Sequence, residues 1–527
     1  MRKILLPTLC FIAIFLPFLI AIFLVLRLLF EGNISDWRYA AVVLLLFVAA
    51  CLCGYKNRPL PPIWDQLLLG GTLLLLLPVL AIGLLFGRLD MIVFFAHWTQ
   101  GVEGIPIVEF LPTIFTAVTY SCVIFWCYRF LYRYLHRIKV VGLLIAIPLL
   151  YSNSLPSEIA YLVGGYGAHD TSLAERLEAP QIALTQQKPD LVIIYLEGTE
   201  RTFGEPVFND IYDPVRIYED QGLVFTNVDQ VDGTGSSVSG MIASQCGVPL
   251  LPRGIRARKG LEDVDDYLSG IDCLSDHLGR AGYASRFIVG ASLSFVGIDK
   301  FYSRHGIDEL IGLKSLETRL PADIAEANRI KWGFSDEVVF DQALLQFQEL
   351  AADTAPFVLI VETIGPHGSG NGGYLAPSCV EPGAPLSSAR IEPTVRCTAG
   401  LTQEFIETIR SETPGRDLRI VLLSDHLSHQ NNATERLDRF ERRNTAIFLS
   451  DDTEPRHIGK YGSMLDIYPT MLDWMGVLPD GSGAGLGRSL LAQAPTLSEE
   501  IGIRELGRLF SGDADLASVI WGVDTGE

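Results

Sequence analysis

Hydrophobic positions are distributed unevenly along the chain. The first third is almost continuously apolar, and there the pattern predicts five membrane spans, at residues 4–30, 37–55, 63–87, 110–132 and 140–162. Each is close to or above the ~20 apolar residues that cross ~30 Å of hydrocarbon. The first span is longer than the apolar region of a signal peptide, and no small-residue cleavage pattern follows it. We therefore predict a transmembrane domain over residues 1–165 whose first span is a retained anchor.

The basic residues around these spans predict their orientation. Lys and Arg precede the first span and cluster in two of the loops, at Arg2, Lys3, Lys56, Arg58, Arg129, Arg133, Arg137 and Lys139. The other two loops are poorer in Lys and Arg. Because positive residues stay on the cytoplasmic side, the N-terminus is expected in the cytoplasm. Five spans then place everything after residue 165 on the outer side.

The second part of the chain has a different pattern. Residues 166–188 are polar with no sustained apolar face, which predicts a linker. From residue 189 to 527, short apolar runs alternate with amphipathic helical segments. The apolar runs are LVIIYLE, SRFIVG, FVLIVETIGPH, RIVLLSDH and TAIFLS. Apolar strands of this kind suit a sheet that is covered on both faces. The pattern predicts an α/β domain with a mostly parallel sheet.

Charge and cysteine content narrow the class of protein. The net charge is −20 and no basic tract is present, so nucleic acid is an unsuitable partner. Five of the nine cysteines lie in or beside apolar spans, and four lie in the predicted exported domain. Two disulfides are expected there. Three pairings exist for four cysteines, and sequence proximity favours Cys246 with Cys273 and Cys379 with Cys397; four buried thiols are the alternative.

Three apolar runs lead into groups that bind metal ions or phosphate. The first ends in Glu197, another leads to His367, and a third ends in Asp425 and His426. Ligands of open α/β sheets bind outside the carboxyl ends of the strands. A single acidic strand end is more often a turn former or a helix cap, but three such ends are expected to converge. A Glu, an Asp and a His together suit Zn²⁺ or Mn²⁺.

The stretch VDGTGSSVSGMIASQCG raises the question of a nucleophile. It places four hydroxyl side chains before a segment that could be a helix, but taken alone it fits a flexible Gly/Ser loop better. A hydroxyl at a helix N-terminus lies where backbone N–H groups stabilise an anion, and a nearby cation would lower its pKa. These considerations do not choose among Thr234, Ser236, Ser237 and Ser239.

Residues from about 189 to 490 resemble the sulfatase/alkaline-phosphatase superfamily in its membrane-anchored branch. That branch includes lipoteichoic acid synthases, phosphoethanolamine transferases and the phosphoglycerol transferases of periplasmic glucans, and the last resemble this chain most. The similar segments occur in order and include IYLEGTERTF, GMIASQCGVPL, WGFSDE, SDHLSHQNN, MLDIYPTMLDWMGV and LGRSLL. The resemblance implies an exported catalytic domain behind a membrane bundle, in the periplasm of a bacterium and anchored in its inner membrane.

The resemblance also implies roles for individual residues. Glu197, Asp425 and His426 match the metal ligands, with one divalent ion, Mn or Zn, as cofactor. Thr234 matches the threonine nucleophile, which also contacts the metal and lies seven residues before a methionine, here Met241. His367 matches a histidine that contacts the phosphate or the leaving oxygen.

Three further positions match the family pattern less closely. Trp332 lies in a stretch that resembles one lining the headgroup pocket, and Gly233 stands where lipoteichoic acid synthases have a Lys, so the phosphate environment is expected to differ. His429 has no counterpart in the family pattern and is interpreted as a surface residue or a neighbour of the metal ligands.

The activity that the resemblance implies is transfer of phosphoglycerol from phosphatidylglycerol to a hydroxyl of an exported, osmoregulated glucan. A covalent phospho-threonine forms and diacylglycerol leaves. The alternatives are a phosphoethanolamine transferase acting on lipid A or a glycan, and phosphoglycerol transfer to another polymer of the cell envelope. A sulfatase is disfavoured because no C/S-x-P-x-R sequence follows Thr234.

Overall fold

The structure is a computed structural model. It describes residues 62–86, positions 111, 114–122, 124–125 and 128, and then 172–522 with gaps at 181, 183–187, 253–265, 368–371, 414, 480–481 and 512. The chain divides into two compact units, and the residues described from 172 onward belong to the second of them.

The first unit contains the helix α1, Ile63–Phe86, which coincides with the third expected span. Positions 111, 114–122, 124–125 and 128 are also helical and fall in the fourth, whereas the spans expected at 4–30, 37–55 and 140–162 lie outside the described residues. Among the residues that are described, no helix combines the length and apolar character that a bilayer crossing needs. The transmembrane domain stays a prediction.

The second unit is built from strands and helices that alternate along the chain. The strands are β1 Asp190–Leu196, β2 Leu223–Phe225, β3 Val228–Asp229, β4 Ala284–Val289, β5 Glu309–Ile311, β6 Arg329–Ile330, β7 Gly333–Phe334, β8 Phe357–Glu362, β9 Gly373–Tyr374, β10 Ser387–Ser388, β11 Leu418–Ser424, β12 Ala446–Leu449, β13 Arg456–Ile458, β14 Gly462–Ser463, β15 Gly483–Ala484 and β16 Gly487–Arg488. The helices are α2 Asp213–Arg216, α3 Ser237–Cys246, α4 Leu274–Arg280, α5 Ile298–Arg304, α6 Leu313–Arg319, α7 Ala322–Ala327, α8 Asp336–Ala351, α9 Ile391–Glu412, α10 Thr434–Leu437, α11 Ile467–Trp474, α12 Leu497–Ile501, α13 Ile503–Phe510 and α14 Ala514–Trp521.

The main sheet has eight strands in the order β13-β2-β12-β11-β1-β8-β4-β5. Strand β1 lies between β11 and β8 and is parallel to both, and β4 continues the parallel set to β5. Strand β12 runs antiparallel to its neighbours β11 and β2. The predicted α/β domain with a mostly parallel sheet is confirmed.

Both faces of the sheet are covered, as the continuous apolar runs require. All seven residues of β1 are buried. Val192 and Ile194 share the main hydrophobic core with Phe340 of α8 and Ile406 of α9. Because side chains alternate along a strand, Tyr195 points to the opposite face, where its hydroxyl lies 2.7 Å from Ser244 Oγ of α3. Helix α3, which begins at the Gly/Ser stretch, is therefore packed directly on the central strand.

Two disulfides are present in the second unit. Cys246 pairs with Cys273 and Cys379 with Cys397, which are the pairings that sequence proximity favours. The first ties the C-terminus of α3 to the start of α4, and the second ties α9 to the segment that follows β9. Because Cys273 is oxidised, it cannot act as a thiolate ligand with the adjacent His305 and Asp276.

Part of the polar segment expected at 166–188 is described by the structure, and this part packs against the rest of the second unit. Ser172 Oγ and the Leu173 backbone N–H both donate to the carboxylate of Asp513, at 2.8 and 2.7 Å. Further on, the Glu178 backbone exchanges two hydrogen bonds with that of Gly485, each 2.8 Å long. Residues 172–178 are thus a docked segment, and the rest of the linker stays a prediction.

Candidate metal and phosphoryl-transfer site

The carboxyl ends of two adjacent parallel strands bring the predicted metal ligands together. Strands β1 and β11 pair in register, with Leu196 opposite Ser424. The next residues along each strand are Glu197 and Asp425, so pairing alone places these two carboxylates side by side. His426 follows Asp425 in the same turn. This explains why three residues separated by up to 229 positions can share one site.

The three side chains form a compact, buried cluster. Their ligand atoms all lie within 4.8 Å of one another. His426 Nε2 is 3.4 Å from Glu197 Oε1 and 3.3 Å from Asp425 Oδ2. Within the described part of the chain, Asp425 Oδ2 and His426 Nε2 are buried without a hydrogen-bond partner. Buried polar atoms are normally satisfied, so two oxygens and a nitrogen converging in this way fit a divalent cation such as Zn²⁺ or Mn²⁺.

Backbone contacts orient these ligands toward their common centre. Asp425 Oδ1 accepts hydrogen bonds from the N–H groups of Gly198 and His426, both at 2.8 Å, which leaves Oδ2 toward the cluster. His426 Nδ1 lies 2.8 Å from the Leu427 carbonyl oxygen and donates to it, which leaves Nε2 as the ligand atom. Partners of this kind fix the ring orientation and tautomer of a metal-binding histidine.

The electrostatics of the cluster separate the pKa values of its members. Burial opposes ionisation of Glu197, but the neighbouring His367 and His426 outweigh it and hold the pKa of that carboxyl at about 2. Burial and the Glu197 charge raise the pKa of Asp425 to about 7. Burial disfavours the charged imidazole of His426, yet both carboxylates outweigh this and raise its pKa to about 10. The two carboxylates thus favour a positive charge at the His426 ring, which is the place where a cation would bind.

Ser237 contacts a carboxylate of this cluster through its hydroxyl group. It is the first residue of α3 and is buried, and its Oγ donates to Glu197 Oε2 at 3.0 Å. The preceding Ser236 and the following Ser239 are instead bonded to each other, with the Ser236 N–H donating to Ser239 Oγ at 2.8 Å. Ser237 therefore combines a helix N-terminus with a metal-ligand neighbour.

Thr234, the nucleophile that the family resemblance implies, makes a different contact. It is fully buried, and its hydroxyl donates to the Val231 carbonyl oxygen at 2.7 Å. Within the described part of the chain, no hydrogen bond joins Thr234 to Glu197, Asp425 or His426. The role of Thr234 stays a prediction, and Ser237 is one of the four hydroxyl residues among which the local sequence did not choose.

His367 and Trp332 lie together beside the cluster. Their ring centroids are 4.3 Å apart, and Phe295 packs edge-on against Trp332 at 5.6 Å. His367 is close enough to stabilise the charge of Glu197. His367 Nδ1 is buried and has no hydrogen-bond partner in the described part of the chain. His367 thus influences the cluster electrostatically, and its catalytic role stays a prediction.

Asp336 was missed at the sequence level and supports the turn that carries His367. Its Oδ1 accepts from the N–H of Ile364 at 2.7 Å and from that of Gly365 at 3.1 Å, and its Oδ2 accepts from Thr398 Oγ1 at 2.6 Å. A Cβ on Gly365 would approach Asp336 Oδ2 to 2.5 Å, so only glycine fits. The WGFSDE segment contains this Asp, but the sequence does not reveal its partners.

Two further ionisable residues border the cluster. Glu362 ends β8 and is buried, and burial together with Asp425 and Glu197 raises its pKa well above the ordinary value. The acidic end of the FVLIVE run was the available signal for it. His429 lies with its ring 4.2 Å from that of His426, so it is a neighbour of a metal ligand, and burial and His426 lower its pKa.

Comparison with known proteins identifies the family to which the sequence is similar. Residues 222–477 match the family model described as Sulfatase. Phosphoglycerol transferase I of Xanthomonas axonopodis pv. citri (strain 306) is 30% identical over 349 residues, which cover 65% of this chain and 48% of that protein. Phosphoglycerol transferase I of Escherichia coli O127:H6 (strain E2348/69 / EPEC) is 30% identical over 401 residues, or 74% of this chain and 50% of that protein. The chain thus spans about half the length of these curated relatives.

Solved structures give weaker likenesses. The lipoteichoic acid synthase LtaP from Listeria monocytogenes shares 15% identity at a TM-score of 0.45, covering 66% of this chain and 96% of that one. The lipooligosaccharide phosphoethanolamine transferase EptA from Neisseria meningitidis shares 15% at 0.42, covering 83% and 88%. The curated relatives and the family model confirm the resemblance seen in the sequence: this chain is a relative of phosphoglycerol transferase I and carries a domain of the sulfatase family.

Proposed function

We propose that this protein is a phosphotransferase that moves phosphoglycerol from phosphatidylglycerol to a hydroxyl of an exported glucan. The observation that carries the proposal is the hydrogen bond from Ser237 Oγ to Glu197 Oε2, within a buried Glu-Asp-His cluster and at the start of a helix. The identity of the transferred group, phosphoglycerol, is taken from the names of the curated relatives. The donor, the acceptor and the covalent intermediate are parts of this proposal.

Glu197, Asp425 and His426 are proposed to hold one divalent ion, either Mn²⁺ or Zn²⁺. Such an ion would lower the pKa of the hydroxyl beside it and neutralise charge on the phosphoryl oxygens. The N-terminus of α3 adds backbone N–H groups that favour an anion at the same place. The buried, unpartnered Asp425 Oδ2 and His426 Nε2 support this assignment.

The nucleophile is proposed to be Ser237, with Thr234 as the alternative that the family resemblance implies. Ser237 Oγ contacts a metal-ligand carboxylate, whereas the hydroxyl of Thr234 donates to a carbonyl oxygen of its own loop. In the first step a bond forms between Ser237 Oγ and phosphorus while the bond from phosphorus to the diacylglycerol oxygen breaks. The hydroxyl loses its proton, and the leaving oxygen gains one.

His367 is proposed to supply that proton and to recover it in the second step. There a glucan hydroxyl attacks phosphorus, the bond to Ser237 breaks, and the serine hydroxyl is restored. A general acid in one step acts as general base in the next. The position of His367 beside Glu197 supports this role. Trp332, packed on His367, is proposed to line the headgroup side of the site.

The decisive experiment is mass analysis of the detergent-purified protein after exposure to phosphatidylglycerol without acceptor. We expect a glycerophosphate adduct, which fragmentation locates on Ser237. Ser237→Ala should abolish the adduct and reduce transfer by a factor of about 10³ or more, as loss of a nucleophile does. Thr234→Ala and the matched control Ser236→Ala should retain both. An adduct on Thr234 that survives Ser237→Ala would contradict our choice and restore the sequence-based one.

The alternative function is phosphoethanolamine transfer, and the same experiment separates it. Phosphatidylethanolamine replaces phosphatidylglycerol in a parallel incubation. An adduct of phosphoethanolamine mass, with none from phosphatidylglycerol, would refute the donor that we propose while leaving the site chemistry intact. The absence of both adducts from an enzyme loaded with Mn²⁺ or Zn²⁺ would refute the covalent mechanism.

A further inference from the structure

The turn that carries the metal ligands is fixed by hydrogen bonds from outside it. Leu427 and Ser428 follow His426 and together have four backbone polar groups, each of which has a partner. The Leu427 carbonyl oxygen accepts from His426 Nδ1 at 2.8 Å, which orients the ring. The other three groups are bonded by side chains of distant segments, namely Gln230, Glu200 and Arg442. The backbone on which the His426 ring rests is therefore itself held in place.

Glu200 bonds the peptide unit that orients His426. Its Oε2 accepts from the Ser428 N–H at 2.9 Å, and this N–H belongs to the same peptide unit as the Leu427 carbonyl. A hydrogen bond at one end of a peptide unit polarises the unit and strengthens the bond at the other end. The contacts thus run from the Glu200 carboxylate through one peptide to His426 Nδ1. Carboxylates that support a metal-binding histidine fix its ring and raise its basicity.

Arg442 pairs with Glu200 and bonds the same residue of the turn. The Glu200 side chain is fully buried, with Arg442 Nε 3.0 Å from its Oε1 and Arg442 Nη2 2.5 Å from its Oε2. Arg442 Nη2 also donates to the Ser428 carbonyl oxygen at 2.6 Å. The ion pair therefore bonds both polar groups of the Ser428 backbone, the N–H through Glu200 and the carbonyl through Arg442.

The backbone on either side of Glu200 is fixed as well. The Thr199 carbonyl oxygen accepts from Thr445 Oγ1 at 2.8 Å, and the Arg201 N–H donates to the Arg443 carbonyl oxygen at 2.9 Å. Glu200 follows Glu197 by three residues, so the segment that carries one metal ligand also supports another. A buried ion pair that served folding alone would have no need to reach a ligand through a single peptide.

We propose that Glu200 is a positioning residue for the metal site, which fixes the His426 ring through the Leu427–Ser428 peptide and makes Nε2 a stronger ligand. The inference rests on the proposed function, because the ion concerned is the one assigned there to Glu197, Asp425 and His426. Glu200 acts through a peptide and not as a ligand. Its removal should therefore weaken metal binding while all three ligands remain.

Replacing both charges at once tests this role, since removal of one alone would leave the other without its partner. We compare Glu200→Met/Arg442→Met with the matched double variant Asp190→Leu/Arg416→Met in the 527-residue chain purified in detergent. Asp190 is buried, pairs with Arg416 at 2.5 Å and accepts from the Phe357 N–H at 3.3 Å, but it begins β1, at the end away from the site. Competition with a chromophoric chelator measures the dissociation constants for Zn²⁺ and Mn²⁺, and denaturant unfolding of the metal-free proteins measures folding.

Glu200→Met/Arg442→Met is expected to bind the metal about tenfold to a hundredfold more weakly than wild type, as loss of a histidine-supporting partner does. Asp190→Leu/Arg416→Met should keep the wild-type affinity even if it unfolds more easily. Wild-type affinity in the first variant, or an equal loss in both, would overturn the role of Glu200.

Glu200→Asp provides a second measurement if the double variant does not fold. It keeps the charge beside Arg442 but shortens the side chain that reaches the Ser428 N–H. It should also weaken metal binding, and wild-type affinity in a folded Glu200→Asp protein would refute the inference. If wild type itself binds neither Zn²⁺ nor Mn²⁺, the proposed metal site fails and this role fails with it.

Discussion

At the scale of single residues, the site depends on buried charged groups whose protonation is set by their neighbours. Glu197 and Asp425 follow adjacent strands and experience nearly the same burial, yet the histidines hold the pKa of the first at about 2 while the pKa of the second rises to about 7. Two carboxylates that cannot both ionise easily alone are stabilised together by a cation. The cluster therefore favours the binding of a metal ion.

Loss of one ligand should remove that metal. We expect Asp425→Asn to lower bound Mn²⁺ or Zn²⁺ from about one ion per chain to less than about a tenth, because a carboxylate ligand is lost from a set of three. Elemental analysis after gel filtration measures this. Asp417→Asn, at the partly exposed opposite end of the same strand, is the matched control. Full metal content in Asp425→Asn would show that the ion lies elsewhere.

A second residue-scale prediction concerns Asp336. It bonds the turn before His367 and touches none of the metal ligands through a hydrogen bond in the described part of the chain, so it should act through His367. Asp336→Asn is expected to lower the free energy of unfolding by about 1–3 kcal/mol. Both carboxylate oxygens of Asp336 accept hydrogen bonds, and the amide nitrogen that replaces one of them cannot accept any. Its effect on kcat should largely vanish in a His367→Ala background, because the two residues act as one unit.

A double-mutant cycle on kcat, with denaturant unfolding as the parallel measurement, checks the Asp336 prediction. Additive effects on kcat would show that Asp336 contributes to folding alone. Thr398→Ser keeps the hydroxyl that donates to Asp336 Oδ2, and it serves as the conservative control. It should match wild type in both measurements.

At the scale of elements, helix α3 and the turn after β11 touch through their backbones. A Cβ on Gly240 would lie 1.8 Å from the Asp425 carbonyl oxygen, so glycine is what permits this approach. The C-terminus of α3 is fixed by the Cys246–Cys273 disulfide and by Gly247, which has φ 69. The helix is thus held at both ends of its contact with the sheet, and Ser237 is placed beside Glu197 as a consequence.

We expect Gly240→Ala to displace α3 and to lower transfer at least about tenfold, although alanine favours helix by up to ~1 kcal/mol over glycine. Steady-state transfer and thermal unfolding give the two readouts. Gly279→Ala in α4 is the matched control, because the nearest atom to its Cβ would be 3.9 Å away. Undiminished activity in Gly240→Ala would mean that the close packing of α3 on this turn is not needed.

The N-terminus of α9 gives a prediction about pH. Burial opposes ionisation of Glu392, but hydrogen bonds from Arg390, Asn432 and Arg436 outweigh it and hold the pKa of this carboxyl at about 2. Because the folded pKa lies below the unfolded one, this stabilisation is fully present above about pH 4.5 and is lost as the pH falls toward 2. Allowing for the exposed part of the group, we expect about 1 kcal/mol at neutral pH.

Denaturant unfolding of wild type and Glu392→Gln between pH 2 and 7 measures the contribution of Glu392. The difference between the two proteins should be largest at neutral pH and shrink below pH 4.5. Glu435→Gln removes the same charge from an exposed position and controls for net charge. A difference that is independent of pH would show that the ionised form of Glu392 adds nothing.

At the scale of the whole molecule, the sequence predicts an apolar, lipid-facing surface for the first third of the chain and a polar, water-facing surface for the remainder. The first third of the chain is predicted to cross the membrane five times, and the acidic remainder carries the site. A domain tethered to the outer leaflet would meet a lipid headgroup at high effective concentration, so a lipid donor is consistent with this organisation. The mean hydropathy of +0.30 over all 527 residues reflects the apolar third.

Topology reporters test this organisation. A reporter that is active only outside the cytoplasm should be active after Glu527 and inactive between the second and third spans, near Arg58. Deletion of residues 140–162 should silence the C-terminal reporter by making the number of spans even. Activity at both sites in the intact chain would refute the predicted orientation.

Much of the sheet could be predicted, because its central strands are buried on both faces and therefore have continuous apolar runs. Strands β1, β4, β8, β11 and β12 coincide with those runs. The strands β2, β5 and β13 have only three residues each and were missed, since so short a segment has no pattern of its own. Helix α9 begins at Ile391, where Asn432 bonds the Ile391 backbone and the Glu392 side chain, a contact that local sequence does not reveal.

By itself, the sequence determined that Glu197, Asp425 and His426 would share an edge, since parallel strands with polar carboxyl ends leave few other arrangements. The choice of hydroxyl was decided by tertiary structure alone. Four hydroxyls within six residues are equivalent in composition, and only the point where α3 begins turns Ser237, rather than Thr234, toward a carboxylate. The position of α3 on the sheet depends on long-range contacts such as the approach of Gly240 to the Asp425 backbone, which no local pattern encodes.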